Sequence, residues 1–402
     1  MSETTLTESM QVLSFTSAAE RDSQHKLTPI NDTLTTAQET MKAFTFLGTG
    51  KGAKWQDVSK PTLMDPTEII GKVKATTICG SDPQIINGLL PTTCKVADSK
   101  PGRGITLGHE GVVEILEVGS EVKNLKKGDL CILPAILNHC GCCHLCNRKV
   151  QYTCPKTHYP GVFMDGMLAE FIRVPHADDT LLLAPSNVSL ESLVMLSDAL
   201  PTSYEIGVEG KVQEGDRVAV FGCGPVGLSA ILTATIKNPA MLIAIDTNEH
   251  RLQIAKKIGA THLLNPTQPD FAQRVIQLTS GQQFSDRKPG VDVAIDCAGK
   301  SGSVTVAQQL VTVGGKVAVV ACGIPETPVN FFELQKKSIT LSSGFLSGHS
   351  VEYLTELVAN GTLDPSPLVS HKFKLSEIEK AYDVFSHAVE NNTIKVLLVN
   401  DD

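Results

Sequence analysis

Between residues 217 and 344, short apolar runs alternate with helical patterns. Arg217-Val218-Ala219-Val220-Phe221 is a β-rich run, and Met241-Leu242-Ile243-Ala244-Ile245 reads as a second strand. Leu228 to Thr235 and Leu252 to Ile258 carry helical spacing. Further strands are expected at Val291–Asp296, at 315–321 and at 339–344. Strands alternating with helices predict an α/β fold built on a doubly wound parallel sheet. Upstream the pattern changes to short β signals and glycine turns, as in Gly71-Lys72-Val73 and Gly111-Val112-Val113-Glu114-Ile115, which suggests a partly open barrel. Residues 1–40 show no clear apolar period and read as a disordered tail, with the folded body starting at Met41.

Composition narrows the function classes. The chain has 402 residues, 42% hydrophobic and 19% charged, and a formal net charge of −8. The length predicts about two to three domains. With no basic stripe to neutralise phosphates, nucleic acid is not an expected partner. No apolar run approaches the ~20 residues of a membrane span, so no membrane partner is expected. The first 40 residues carry six acids against Arg21 and Lys26, a poor match to a mitochondrial presequence. Eleven cysteines without a secretory pattern predict a reducing, cytoplasmic location.

The first strand of the alternating region enters Gly222-Cys223-Gly224-Pro225-Val226-Gly227, and a helical pattern follows. A strand–G-x-G-x-x-G–helix unit predicts dinucleotide binding. Its first glycine permits the tight turn, the second lets backbone approach a pyrophosphate, and the third lets helix and strand pack closely. The second strand ends in Asp246, 19 residues after Gly227. A carboxylate there accepts hydrogen bonds from ribose hydroxyls and repels a 2′-phosphate, which favours NAD over NADP. Arg251 on the next helix offsets part of that repulsion. The competing reading is a glycine turn in a fold that binds no nucleotide.

Cys140, Cys143, Cys146 and Cys154 follow the spacing C-x2-C-x2-C-x7-C, which suits one tetrahedral zinc held by four thiolates. Four protein ligands leave no position for substrate, so this zinc is expected to be structural. Disulfides are the alternative, and Cys142 reads as a free thiol outside the set. Chemistry is then sought in Cys79-Gly80-Ser81-Asp82 and Gly108-His109-Glu110, which offer two zinc ligands. A catalytic zinc needs about three protein ligands and one exchangeable position.

Taken in order, CGSD, GHE, the four-cysteine lobe and GxGPVG resemble the zinc-dependent medium-chain alcohol dehydrogenase family, over about residues 41–402. The segment Met195–Thr202 is similar to the branch whose third ligand is aspartate, the branch with secondary-alcohol and formaldehyde dehydrogenases. The resemblance implies Cys79, His109 and Asp198 as ligands of a catalytic zinc, beside the structural one. It implies a GroES-like catalytic domain over 41–198 and 345–402, a Rossmann NAD-binding domain over 199–344, and a homodimer or homotetramer. An alcohol or carbonyl oxygen would bind at the open zinc position while carbon and nicotinamide exchange a hydride.

Further roles are implied by the same match. Ser81 takes the alcohol proton, and Asp82 receives the other ring N–H of His109. Glu110 is either an acid that approaches zinc during ligand exchange or an ordinary ion-pair partner. Thr202 packs against nicotinamide and Val226 behind its ring. Lys395 is either a cationic pyrophosphate contact or a solvated lysine. Where many relatives carry a proton-relaying histidine, this chain has Gln84, which cannot titrate near neutral pH. No cationic cluster is placed for an acidic substrate, so a small neutral alcohol with its aldehyde or ketone is expected, with a polyol or a non-enzymatic NAD-binding role as alternatives. His158, Tyr159, Phe163, Phe345 and Leu346 are candidates to line the pocket, and 91–102 reads as an enlarged loop between Cys79 and His109.

Overall fold

The computed structural model describes residues 39–137, 139–322 and 327–401. The expected tail lies outside the described residues up to residue 38, and the first strand, Thr40–Phe46, opens one residue before Met41.

Six parallel strands form one sheet, in the order His262–Leu264, Met241–Ile245, Arg217–Phe221, Val291–Asp296, Val311–Val319 and Thr340–Ser343. Every residue of Arg217–Phe221 and Met241–Ile245 is buried, because helices cover both faces. Strand order reverses between Arg217–Phe221 and Val291–Asp296. A crevice opens beyond the carboxyl ends of two such strands, since their connections leave toward opposite faces.

The expected bounds shift at two places. The strand expected from Gly315 begins at Val311. Gly314 takes φ +76°, so two glycines that look like a break form an irregularity inside one strand. The helix expected from Leu252 begins at Glu249, where the Asn248 side chain accepts the Arg251 N–H.

The remaining strands form a sheet of seven and one of three. In the larger sheet, Ile69–Ile78 pairs with Gly111–Val118, Phe171–Val174 and Lys395–Val399, so the C-terminal strand returns to the first part of the chain. The smaller sheet joins Thr40–Phe46 to Ala53–Ser59 and Ile105–Thr106. The enlarged loop is corrected in part: Pro91–Asp98 is a helix that buries Thr93, Cys94 and Ala97. Pro91 favours that start, because its fixed φ suits a first turn and its missing N–H is not needed there. Asp98 then accepts the Thr49 N–H and hydroxyl, so the segment packs on the fold instead of standing free.

Candidate metal centres and cofactor crevice

Cys79 follows the last residue of Ile69–Ile78, and His109 and Glu110 directly precede Gly111–Val118, the neighbouring antiparallel strand. Adjacent strand ends therefore deliver a thiol and an imidazole to one place. Asp198 arrives from a separate helical segment. It sits at the N-terminal boundary of Ala199–Ser203, but its side chain makes no capping bond to that helix. Its Oδ1 accepts the Thr202 hydroxyl at 2.9 Å, which leaves Oδ2 facing Cys79 Sγ and His109 Nε2, each at 3.9 Å. Ligand atoms of Cys79, His109, Glu110 and Asp198 all lie within 4.8 Å of one another. Burial raises the Asp198 carboxyl to about 6, as does the Glu110 charge, so two acids and a thiol crowd a place suited to a cation.

Around these groups, Asp82 is fully buried and its Oδ2 accepts the Cys79 N–H at 2.9 Å. Its Oδ1 lies 3.8 Å from His109 Nδ1. That leaves Nε2 as the ring nitrogen facing Asp198. Ser81 Oγ is 3.5 Å from the same Nε2. Glu110 accepts the Thr77 hydroxyl at 2.6 Å and pairs with Lys395 Nζ at 2.6 Å. Lys395 is 2% exposed, so the solvated-lysine alternative is set aside; its ammonium faces Glu110. Thr77 carries no sequence signal, since a threonine in a strand is ordinary there.

The second centre is a lobe. His144–Asn147 forms a single helical turn that helps bring Cys143 and Cys146 together, and Gln151–Thr153 leads into Cys154. Sulfur–sulfur separations are 3.8 Å for Cys140–Cys146, 3.5 Å for Cys143–Cys146, 3.9 Å for Cys143–Cys154 and 3.7 Å for Cys154–Cys140. Four sulfurs at about 2.3 Å from one zinc stand about 3.8 Å apart along a tetrahedral edge. They are far too distant for disulfides, in which sulfurs are about 2.05 Å apart. Cys142 is exposed and outside the cluster.

In the glycine turn, Gly222 has φ +84°, and a Cβ there would meet Ala298 backbone at 2.8 Å. A Cβ on Gly227 would meet the Gly222 carbonyl at 1.7 Å. Around Gly224 nothing lies within 4 Å, and Pro225 opens the helix Pro225–Ala234 directly behind it. This open backbone at a helix N-terminus fits a dinucleotide's pyrophosphate. Asp246 Oδ2 accepts the Cys223 N–H at 2.6 Å and Oδ1 the Asn248 N–H at 2.8 Å. Arg251 donates to the Thr393 carbonyl at 3.2 Å, on the connection into the last strand. Ser203, next to Thr202, donates to the Val226 carbonyl at 2.7 Å, which ties the aspartate-bearing helix to the glycine turn.

Two features had no sequence signal. After Ala199–Ser203 the chain continues as a π-helix, Tyr204–Val208. Its buried Glu205 accepts backbone N–H groups of Ser347, Gly348 and Ser350 at 2.7, 3.2 and 3.0 Å. An acid within an apolar helical run reads as a surface residue, yet here it anchors the returning chain. Among the expected pocket residues, Tyr159 packs edge-on against Phe163, and Phe345 against Tyr152. Leu346 is buried with Ala135 and Ile136, and Ala135 N–H binds the carbonyl of Ser197 beside Asp198.

Known proteins share this arrangement. Residues 65–186 match the family model of the alcohol dehydrogenase GroES-like domain, and residues 225–360 that of the zinc-binding dehydrogenase. An uncharacterised zinc-type alcohol dehydrogenase-like protein of Bacillus subtilis is 30% identical over 397 residues, covering 89% of this chain and 100% of the relative. An L-threonine 3-dehydrogenase of Bacillus licheniformis is 30% identical over 338 residues, covering 83% and 92%. The solved structure of zinc-dependent alcohol dehydrogenase 2 from Streptococcus pneumonia, apo form, superimposes with a TM-score of 0.80 at 39% identity, covering 90% and 99%. The chain is a member of the zinc-dependent medium-chain alcohol dehydrogenase family.

Proposed function

We propose that this enzyme interconverts a small neutral alcohol and its aldehyde or ketone with NAD, using zinc held by Cys79, His109 and Asp198. The observation that carries this reading is the convergence of those three side chains, 119 residues apart at the extremes, beside the glycine turn. When bound, zinc supplies Lewis acidity toward the substrate oxygen and NAD accepts a hydride. Asp82 orients His109 through Nδ1, and Thr202 holds Asp198 so that Oδ2 faces the ligand set. Ser81 Oγ, 3.5 Å from His109 Nε2, takes the alcohol proton, and because Gln84 passes no proton onward, ribose hydroxyls and water complete the route. Gly222, Gly224, Pro225, Val226 and Gly227 cradle the cofactor.

NAD is favoured over NADP because Asp246 is held by two backbone N–H groups with its charge at the strand end, where a 2′-phosphate would meet it. Arg251, which donates to the Thr393 carbonyl, offsets part of that charge. A neutral substrate is favoured because Lys395, the buried ammonium beside the ligand set, is already matched by Glu110. A second zinc in the four-cysteine lobe is structural. We assign residues 41–198 and 345–402 to the catalytic unit and 199–344 to the NAD-binding unit, supported by the shared sheet that takes Ile69–Ile78 and Lys395–Val399 together. A homodimer or homotetramer in the cytoplasm completes the reading. Phe331, Phe332 and Leu341, at 72%, 70% and 36% exposure on or near the sheet's edge strand, support self-association.

The test is NADH formation by purified protein with NAD and a panel of primary, secondary and polyhydric alcohols, L-threonine and formaldehyde, with and without a zinc chelator. Chelator-sensitive turnover of neutral alcohols supports the reading. Turnover confined to polyols or threonine replaces its substrate class, and NADH binding without any turnover favours the non-enzymatic alternative.

A further inference from the structure

Tyr382 lies on the helix Ile378–Ser386, 303 residues after Cys79 in sequence, and no motif includes it. Its ring packs tilted on Phe44 at 4.8 Å and belongs to the apolar cluster that contains Ile78 and Ile85. Ile78 directly precedes Cys79, and Ile85 sits one turn after Asp82 on the helix Ser81–Ile86. The ring therefore packs in the apolar cluster that also holds the residues flanking the CGSD segment. Its hydroxyl is shut off from solvent and makes no hydrogen bond. Asp82 Oδ1 and His109 Nδ1 are also buried and without partners. A buried hydroxyl left unpaired costs about 1–3 kcal/mol, so an orphaned donor in the cluster that holds Ile78 and Ile85, and an orphaned acceptor on Asp82 between them in sequence, need an explanation. Burial pushes the phenol well above its ordinary value, and the Asp82 and Cys79 charges push it further, so Tyr382 remains a donor at any physiological pH.

We propose that the Tyr382 hydroxyl donates to one buried water that in turn donates to Asp82 Oδ1, and so positions the carboxylate that orients His109 toward zinc. Asp82 then has each oxygen committed. Oδ2 accepts the Cys79 N–H, and Oδ1 accepts from that water while it faces His109 Nδ1 at 3.8 Å. Tyr382 is a positioning residue that never touches substrate. The proposal rests on the zinc reading of Cys79, His109 and Asp198.

The experiment measures zinc release to a chelator from the parent, Tyr382→Phe, Asp82→Asn and the double variant. Phenylalanine keeps the ring and its packing, so only the hydroxyl is removed. Groups that orient zinc-bound histidines typically change metal affinity tenfold or more, and one step further out about three- to tenfold faster release is expected from the catalytic centre. Release from the four-cysteine lobe stays unchanged in the same run. In the Asp82→Asn background, Tyr382→Phe adds nothing further. Cobalt-loaded Tyr382→Phe protein also shows shifted visible absorption bands, a readout that does not need the double variant. Unchanged release and unchanged bands overturn the proposal, as does a full additional acceleration in the Asp82→Asn background. A parent protein that holds zinc only in the lobe overturns the zinc reading itself, and its metal content reports that separately.

Discussion

Lys395 and Glu110 are 285 residues apart in sequence and meet at 2.6 Å in an ion pair with side-chain exposures of 2% and 0%. The pair joins the first residue of the C-terminal strand to the neighbour of His109. It therefore holds the returning chain against the metal centre and neutralises one of the acids crowded there. Glu110 also belongs to the set of side chains whose ligand atoms lie within 4.8 Å of one another, so its partner Lys395 sets how much negative charge that set carries.

Removing one member of this pair leaves the other buried and unmatched. Lys395→Met is expected to cost about 3–5 kcal/mol in urea unfolding, and adding Glu110→Gln should recover most of that loss. Burial would raise the Glu110 carboxyl, but Lys395, His109 and Thr77 together hold it down at about 2. A carboxyl lowered on folding stabilises the fold above its unfolded value of about 4.3 and loses that contribution as pH falls toward the folded value. The gap between parent and Lys395→Met should therefore narrow below about pH 4. A gap that stays constant from pH 7 to 3 would show that the pair's charge is not what stabilises the strand.

Two glycines of the cofactor turn should behave oppositely. A Cβ at Gly224 meets nothing within 4 Å, so Gly224→Ala should melt within about 2 °C of the parent while NADH binding weakens about tenfold or more, because the methyl fills the pyrophosphate's approach. A Cβ at Gly227 strikes the Gly222 carbonyl at 1.7 Å, so Gly227→Ala should lower the melting temperature by several degrees. Fluorescence titration with NADH and a melting curve for each variant decide this; equal melting losses would mean that the Gly224 face is not open.

Asp246→Gly should raise the NADP-to-NAD ratio of kcat/KM by about tenfold or more, since the charge that would repel a 2′-phosphate is gone. It also frees the Cys223 N–H that Asp246 binds at 2.6 Å, so NAD turnover itself should fall. Steady-state kinetics with both cofactors measure the two effects. An unchanged ratio would remove Asp246 from the choice of cofactor.

Cys146→Ser should lose one zinc per chain and melt earlier, while zinc at Cys79, His109 and Asp198 is initially retained. The four sulfurs stand at tetrahedral spacing, and a hydroxyl replaces a thiolate poorly there. Metal analysis alongside calorimetry reads both changes. Full metal content with parental stability would mean that the lobe binds no zinc.

Local spacing was enough to read some features and not others. The strand–glycine turn–helix unit and the four-cysteine lobe each lie within a few tens of residues, so chain geometry alone brings their groups together. Asp246 could be read for the same reason, as it ends the strand beside Arg217–Phe221. Pro91–Asp98 was read as loop because only four residues separate it from the helix Ser81–Ile86 and its burial comes from packing, not from a long apolar period. Gly314 and Gly315 looked like a strand end because a bulge and a break share the same residues.

By itself, then, the sequence determined the parallel α/β half, the cofactor turn and a closed thiolate centre, because each depends on short-range periodicity or spacing that survives without knowledge of the rest of the chain. Cys79 and His109 stood out as metal-ligand types, but only family order joined Asp198 to them. Tertiary structure alone decided that Asp198 Oδ2 faces both, that Lys395 turns to Glu110, that Glu205 holds the returning backbone, and that the Tyr382 hydroxyl is buried without a partner. Such contacts join residues far apart in sequence, from 89 positions for His109 and Asp198 to 285 for Glu110 and Lys395. Their partners are chosen by strand pairing and by the cost of burying an unmatched charge, and neither leaves a pattern along the chain.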